Sequence, residues 1–474
     1  MTEKTLVGSR DGFSPKAVEE ISRLKAEPAW LAERRREAWA AFAQLPMPSL
    51  QDEDWRRTDL SGLDMGAFLP FAPNAFRARS VQELPPPVPS ALRGEEWAGL
   101  LVQQGAEAIY WELSQELSRQ GVLFLPLEEA ARRAPDLLKG FLGSCIRPEE
   151  GKFVALNGAL GSGGAFVYVP RGVEAALPLH SILLYPSRPG QGSHAVGWPL
   201  PLPSHEGLAL FPHTVIVLER DSRLVYIDEY LSPARKGSVL HSGVVEVRLE
   251  EGARLQHITL QQWGSQVFNF VTQRALVGAG ATLESLVVAT GGGLTKAFLD
   301  TVLQGPGARA RMEGIILGDE GQHFDHQLFI DHAASHTQSR TFYKVGLMDQ
   351  ALSVFLGLVR IQKGARQTDS HLENRNLLLS DRAKADSIPK LEIESSDIIR
   401  CSHASSVGQV EEEQLFYLMS RGLSRRQAEK IILDGFFEPV LKGIPVPAVQ
   451  RRLARLLDRK LARPGRAIRP GWAG

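Results

Sequence analysis

From Phe153 onward the chain is written in short apolar runs, each closed by Gly, Pro or a small polar residue. FVALNGAL, AFVYVP, HSILLYP and HTVIVLER read as strands bounded by turns. Between 220 and 410 this texture becomes a repeat, a turn with a small residue followed by strand-like alternation. Its instances begin at Asp221-Ser222, Gly252-Ala253, Gly280-Ala281, Gly307-Ala308, Ala333-Ala334, Gly364-Ala365 and Ser395-Ser396. The steps are roughly 27 to 32 residues, with room for two or three short strands in each unit. One such unit cannot bury its apolar side alone, whereas stacked units make a continuous core. The period is too short for a four-stranded propeller blade, and no helical half accompanies each unit. The pattern predicts a mainly β protein whose core, residues 151–410, is a right-handed parallel β-helix-like solenoid.

The flanks read differently. Ser14-Pro15 supplies an N-cap and a Pro at the first helical position. Apolar residues at helical spacing then run to Leu45. Residues 72–92 are Pro-rich and predict an extended connector. Trp111–Arg119 reads as helix, Gly121–Pro126 as strand and Glu128–Leu142 as helix, completing an N-terminal helical/α+β domain over 1–150. Pro189–Gly207 predicts a mobile surface loop. Beyond 411 three helices are expected, over 411–420, 424–437 and 448–461, with Ser424 and Gln427 as a capping box. They form a C-terminal helical domain over 411–474. Phe436, Phe437 and Pro439 stand at the end of its second helix as a core element or a docking anchor.

Composition narrows the function. Of 474 residues, 54 are Lys or Arg and 54 are Asp or Glu, so no global field draws the chain to nucleic acid or to a membrane. The amino terminus has no signal-peptide core, and no apolar run of about 18 residues predicts a span. The chain therefore reads as cytoplasmic. Only Cys145 and Cys401 occur, which excludes a disulfide framework and a CxxC metal site. No GxxxxGK[ST], GxGxxG or Gly-x-Ser-x-Gly motif is present, so ATP chemistry would fall to a partner. A β-helix enzyme acting on polysaccharide is the remote alternative, and it calls for an export signal that the sequence does not carry.

Two tracts carry candidate chemistry. His323, Asp325, His326, Asp331, His332 and His336 have metal-ligating side chains, but in strands they do not share one face, which favours structural polar groups. Cys401-Ser402-His403 follows a strand-like Leu391-Glu392-Ile393 segment. A thiol and an imidazole two residues apart point to the same side of a strand, where they suit a thiophilic metal or a sulfur species. A buried Cys and a hydrogen-bonded His is the plainer reading of the same pair. Cys145, with no polar partner in sequence, reads as structural.

C-S-H-x-x-x-x-G from Cys401 and E-x-Q-L-F-Y-L-x-S-R-G from Glu412 resemble the SufB/SufD family of iron–sulfur cluster assembly scaffolds. Trp55-Arg56-Arg57-Thr58-Asp59 resembles the family's amino-terminal W-R-x-T-D/N element. The likeness is greatest to the SufD branch. Thr368-Asp369-Ser370-His371-Leu372 stands where SufB-like chains have Cys-Asp-Ser-Leu-Leu, and Ser402-His403-Ala404 where they have His-Glu-Ala. Two departures stand out: Ala404 replaces the usual Gly after C-S-H, and Ser387-Ile388-Pro389 replaces Thr-Lys-Pro.

The resemblance implies a non-catalytic scaffold that pairs with a SufB-like subunit through the solenoid edge and docks a SufC-like ATPase through its C-terminal helices. It implies His403 and Cys401 as ligands of a transient iron–sulfur cluster at that interface. It also links the complex to a reduced flavin, for which no site is legible in the sequence. A SufB-like chain or a self-paired homodimer is the alternative within the family.

Overall fold

The computed structural model describes residues 12–70, 76–185, 207–232, 238–444 and 446–461. The expected loop at Pro189–Gly207 lies outside the described residues except for Gly207. The N-terminal module contains α1 (Pro15–Lys25), α2 (Ala29–Gln44), β1 (Phe68–Leu69) and α3 (Val88–Ala91). It continues with β2 (Gly99–Gln104), β3 (Glu107–Leu113), α4 (Gln115–Arg119), β4 (Leu123–Pro126), α5 (Leu127–Arg133), α6 (Pro135–Phe141) and α7 (Lys152–Leu160). Ser14 caps α1 as the sequence predicts, accepting from the Ala17 amide at 3.2 Å.

Three expectations are corrected here. FVALNGAL is the helix α7, because Phe153, Leu156, Ala159 and Leu160 are buried against α1, Ala38 and the Trp55 region, so the segment is apolar on most of its sides. Trp111–Arg119 divides into the end of β3 and the short helix α4, which Ser114 caps. The Pro-rich connector is not wholly extended, since Val81–Glu83 and α3 are helical turns.

The core coils follow. They begin with β5 (Ala165–Val169), β6 (Leu179–Leu184) and β7 (Gly207–Leu210). Two strands per coil come next, β8 (His213–Leu218) with β9 (Arg223–Leu231), β10 (Val239–Leu249) with β11 (Arg254–Gln262), and β12 (Val267–Val277) with β13 (Thr282–Ala289). The series continues through β14 (Leu294–Leu303), β15 (Arg309–Gly318), β16 (His323–His332), β17 (Gln338–Leu347), β18 (Leu352–Ile361) and β19 (Thr368–Leu378). It closes with β20 (Lys384–Ile393) and β21 (Ile398–Gln409).

Even-numbered strands from β8 stack in one parallel sheet and odd-numbered strands from β9 in the other. Antiparallel pairing occurs only where the N-terminal module joins, at β2–β3 and β4–β5, among the described strands. The turns between coils need left-handed backbone. Gly252, Gly280 and Gly307 adopt φ of 71°, 61° and 74°, while Asp221 and His336 take the equivalent conformation as non-glycines.

The expected β-solenoid is thus observed, flanked by helices at both ends. Its interior is one apolar cluster fed by both sheets, including Val247, Ala275, Leu299, Leu328 and Phe355 from one and Leu255, Leu283, Met312 and Val345 from the other. Three helices follow as predicted, α8 (Glu412–Ser420), α9 (Arg425–Leu441) and α10 (Pro447–Leu461). Ser424 and Gln427 form the capping box of α9, which extends past Phe437 to include Pro439. α9 and α10 cover the outer face of the second sheet through Leu433, Phe437, Val440, Leu453 and Leu457. Trp55 anchors the N-terminal strap on the first sheet, packing on Phe153, Phe270 and Phe298 at 5.6–6.0 Å. Lys296 donates to Asp325 at 2.6 Å beneath it, and Thr58 also donates to that carboxylate.

Buried imidazoles make this fold sensitive to acid. His241, His257, His326 and His332 are pushed down to about 4 by burial, which disfavours the charged ring. The unfolded chain takes up these protons near pH 6.5, so their stabilising contribution is complete above that pH and is lost as pH falls towards 4. Each is worth on the order of 3 kcal/mol across the window. Asp228, raised to about 6 by burial, works in the opposite sense, as do the raised Asp300 and His180, but His323 and the buried carboxylates of Glu128, Glu229 and Glu246, all held low, add to the loss in acid. The melting temperature is therefore expected to fall steadily from pH 6.5 to 4.5, less steeply in His257→Gln. A flat profile for the native chain would contradict the burial of these rings as neutral species.

Candidate functional site

The carboxy-terminal end of the solenoid is built by β19, β20 and β21. β19 and β21 run parallel with Ser370 opposite Cys401, His371 opposite Ser402 and Leu372 opposite His403. Side chains alternate across a strand, so Cys401 and His403 share the face of Ser370 and Leu372, which are fully buried. Cys401 packs at the rim of the interior cluster and is half-buried, whereas His403 is exposed. The intervening Ser402 lies on the opposite face, where its hydroxyl sits 2.9 Å from His371 Nδ1. On that outer face Arg400 donates to Asp369 at 3.0 Å, and Arg340 donates to the same carboxylate. These cross-strand bonds hold β21 in register while the thiol and imidazole stay clear of them.

The donor set is sparse. Burial raises the Cys401 thiol, so it is a protonated thiol at neutral pH until a metal displaces the proton. Among the described residues no group of three or more His, Cys, Asp or Glu side chains is placed to hold a metal ion. A thiolate and an imidazole are both competent iron ligands, yet two donors leave a tetrahedral iron half-coordinated. The arrangement can hold an iron or sulfur species only if a second molecule completes the shell.

Among the described residues no strand pairs beyond this edge. β20 and β21 end their respective sheets, and both are mostly exposed or half-buried along their length. Ile393, Ile399 and Val407 are 45%, 63% and 47% exposed there. An unpaired, partly apolar edge is a template for another chain.

The other sequence-singled residues are placed as follows. Phe437 is 1% exposed and seated on β17, where a Cβ on Gly346 would stand 3.1 Å from its ring. Phe436 is half-buried beneath Lys344, whose Nζ lies 4.7 Å from the ring centre. Only Pro439 of the three is open to solvent. The exposed aromatic surface is instead on α8, where Phe416, Tyr417 and Met419 are 73%, 58% and 41% exposed while Leu415 is buried. Those side chains fall at the motif E-x-Q-L-F-Y-L-x-S-R-G, but no helical periodicity distinguishes an outward Phe416 from an inward one before the packing of α8 on α9 is known.

Cys145 is buried and far from the edge in the chain's layout. The Gly143 and Cys145 amides each donate to the Glu246 carboxylate at 2.6 Å, and burial with that charge raises the thiol to about 11. Within the His-rich tract, two residues are fully engaged in structural bonds. Asp331 accepts from Arg360 and Gln362 at 2.6 and 2.8 Å, and His332 is bonded by Thr337 and Ser339 at 2.8 and 2.9 Å. Thr368 is fully buried with its hydroxyl directed to the Ala365 carbonyl at 3.4 Å.

The two thiols are thus expected to differ sharply. Under native conditions a disulfide reagent such as DTNB should titrate one thiol per chain, slowly, and two after unfolding. Cys401→Ser should abolish the native reaction and Cys145→Ser should leave it unchanged. Rapid native reaction of both thiols would contradict this placement.

Comparison with known proteins adds to the geometry. Residues 202–436 match the family described as "SUF system FeS cluster assembly, SufBD core domain", and residues 105–180 match the "SufBD protein N-terminal region". The chain is 30% identical over 447 residues to the iron–sulfur cluster assembly protein SufB of Bacillus subtilis, covering 92% of this chain and 91% of that one. It is 31% identical over 448 residues to an iron–sulfur cluster assembly SufBD family protein of Staphylococcus saprophyticus, with the same coverage of 92% and 91%.

Proposed function

The chain belongs to the SufBD family of iron–sulfur cluster assembly proteins, and from that premise we propose that it is a SufD-like, non-catalytic scaffold subunit. It pairs along β20 and β21 with a SufB-like chain and carries a SufC-like ATPase on its C-terminal helices. The observation that carries this reading is the incomplete donor pair, Cys401 and His403, on an open sheet edge. A cluster built between two chains is held by few ligands from each, so separating the chains releases it. The iron–sulfur cluster is cargo in this scheme. His403 supplies an imidazole from the exposed strand, and Cys401 a thiol that gives up its proton when metal arrives. Thr368 in place of the SufB-type Cys supports assignment to the SufD side, because a buried strand hydroxyl cannot replace a thiolate ligand.

The docking face for the ATPase is the α8 surface of Phe416, Tyr417 and Met419, with Pro439 on the neighbouring helix. Phe437 and the half-buried Phe436 serve to seat α9 on the solenoid. No nucleotide-binding motif occurs in the sequence, which leaves ATP hydrolysis with the partner. No described helix is long and apolar enough to cross a membrane, and the family's work suits the cytoplasm. A reduced flavin in the assembled complex has no residue assignment on this chain.

A second reading, a SufB-like or self-paired scaffold, draws on the name of the Bacillus relative and on the exposed edge, which would serve a second copy as well.

Co-purification with SufB-like and SufC-like chains, followed by anaerobic cluster reconstitution, tests the assignment. His403→Ala should leave the complex intact and lower cluster yield roughly tenfold, the scale of losing a metal-site interaction. Phe416→Asp with Tyr417→Asp should release the ATPase while the scaffold pair persists. A chain that forms no complex with a SufB-like partner, or that builds clusters alone as a homodimer, would overturn the SufD-like reading.

A further inference from the structure

Away from the β20–β21 edge, α10 meets the N-terminal module over the side of the solenoid, and a cleft of about 650 Å³ opens at the junction. Its floor is a buried ionic network. Arg452 Nη2 lies 3.0 Å from Glu229, Nη1 lies 3.3 Å from Glu95, and Nη1 also donates to the Ala91 carbonyl. His180 stands 3.1 Å from Glu229 and 3.4 Å from Glu95, and Gln262 donates to Glu229 at 2.8 Å. These contacts hold the Glu229 carboxyl below its usual range despite complete burial. The network ties α10, β9, β6 and the loop after α3 together, so the cleft walls are fixed.

The charge around that cleft does not balance. Four arginines line it, Arg93, Arg452, Arg455 and Arg459, against two carboxylates, Glu229 and Asp458. Both carboxylates are engaged, Glu229 as above and Asp458 with Lys430 at 2.8 Å. Arg93, Arg455 and Arg459 have no hydrogen-bond or ion-pair partner among the described residues. Arg452, 6% exposed, keeps its Nε without a hydrogen-bond partner there as well. Positions 452, 455 and 459 fall on one stripe of α10, so like charges from three successive turns converge with Arg93 from the opposite wall. Convergent, uncompensated guanidiniums raise the local potential and favour a multiply charged anion.

We propose that this cleft binds a small molecule of nucleotide size that carries two linked phosphates. A monocarboxylate would neutralise one of three uncommitted guanidiniums, whereas a diphosphate presents enough oxygens for bidentate contact with all of them. The volume is that of a small-molecule pocket, far more than inorganic phosphate fills. Pro87, Ala91 and Leu231 line the remainder and offer an apolar wall for an organic body. The site lies on the N- and C-terminal modules and the early coils, so it does not depend on which partner pairs with β21.

Isothermal titration of the purified full chain with ADP, and separately with inorganic pyrophosphate, tests the proposal. ADP is expected to bind saturably and more tightly than pyrophosphate, with affinity falling as salt rises. Arg455→Gln with Arg459→Gln, both exposed and outside the buried network, should weaken ADP by at least about tenfold, the value of one or two charged hydrogen bonds. A charge-matched control, Arg119→Gln with Arg133→Gln, should leave binding unchanged. Absence of saturable binding, equal weakening by both double variants, or pyrophosphate binding as tightly as ADP would overturn the proposal.

Discussion

Everything in this molecule depends on one constraint: a single coil of the solenoid cannot cover its own apolar face or pair its own backbone. Each strand from β8 to β19 satisfies both needs by lying in parallel register between two neighbours. The interior rows that result are nearly dry. Met312, Phe324, Leu347 and Phe355 are wholly buried, and burial keeps the His257 and His326 rings among them neutral. Propagating such a stack is straightforward, and ending it is the structural problem.

The two ends are resolved in different ways. At the amino-terminal end, antiparallel strands β3 and β4 close the sheets, and α2 and α7 cover the flank. At the other end β20 and β21 have no strand beyond them among the described residues, and the helices that follow them turn away to pack on the outer face of the second sheet. The thiol and imidazole of the C-S-H segment lie on that unfinished edge rather than in the closed core. In the proposed reading their position couples chemistry to assembly, because a chain that completes the sheet would also bring the remaining ligands. A fully coordinated metal site within one chain would have no such link.

Much of this was legible from residue order. The small-residue turns at Gly252, Gly280 and Gly307 mark the coils directly, since each needs left-handed backbone. The Ser14 cap and the Ser424–Gln427 box mark helix starts, and the spacing of Cys401 and His403 predicts their shared face. What stayed hidden depends on tertiary contact. FVALNGAL has strand-like apolarity, but burial on several sides suits α7 equally, and packing against α2 and Trp55 decides for helix. Phe437 turns inward because Gly346 on β17 leaves room for its ring, a fact some 90 residues distant in sequence. The arginine cleft draws Arg93 and Arg459 from opposite ends of the chain, so no local pattern marks it.

The central claim is that β21 is a pairing strand waiting for a partner. Amide hydrogen exchange across Ile398–Gln409, measured on the chain alone and with a SufB-like partner, tests it most directly. The account predicts rapid exchange at the outward-facing amides of the free chain and strong protection of the same amides in the complex, with β13 and β15 unchanged. Equal exchange in both states, in a complex shown to have formed, would place the interface elsewhere and contradict the account.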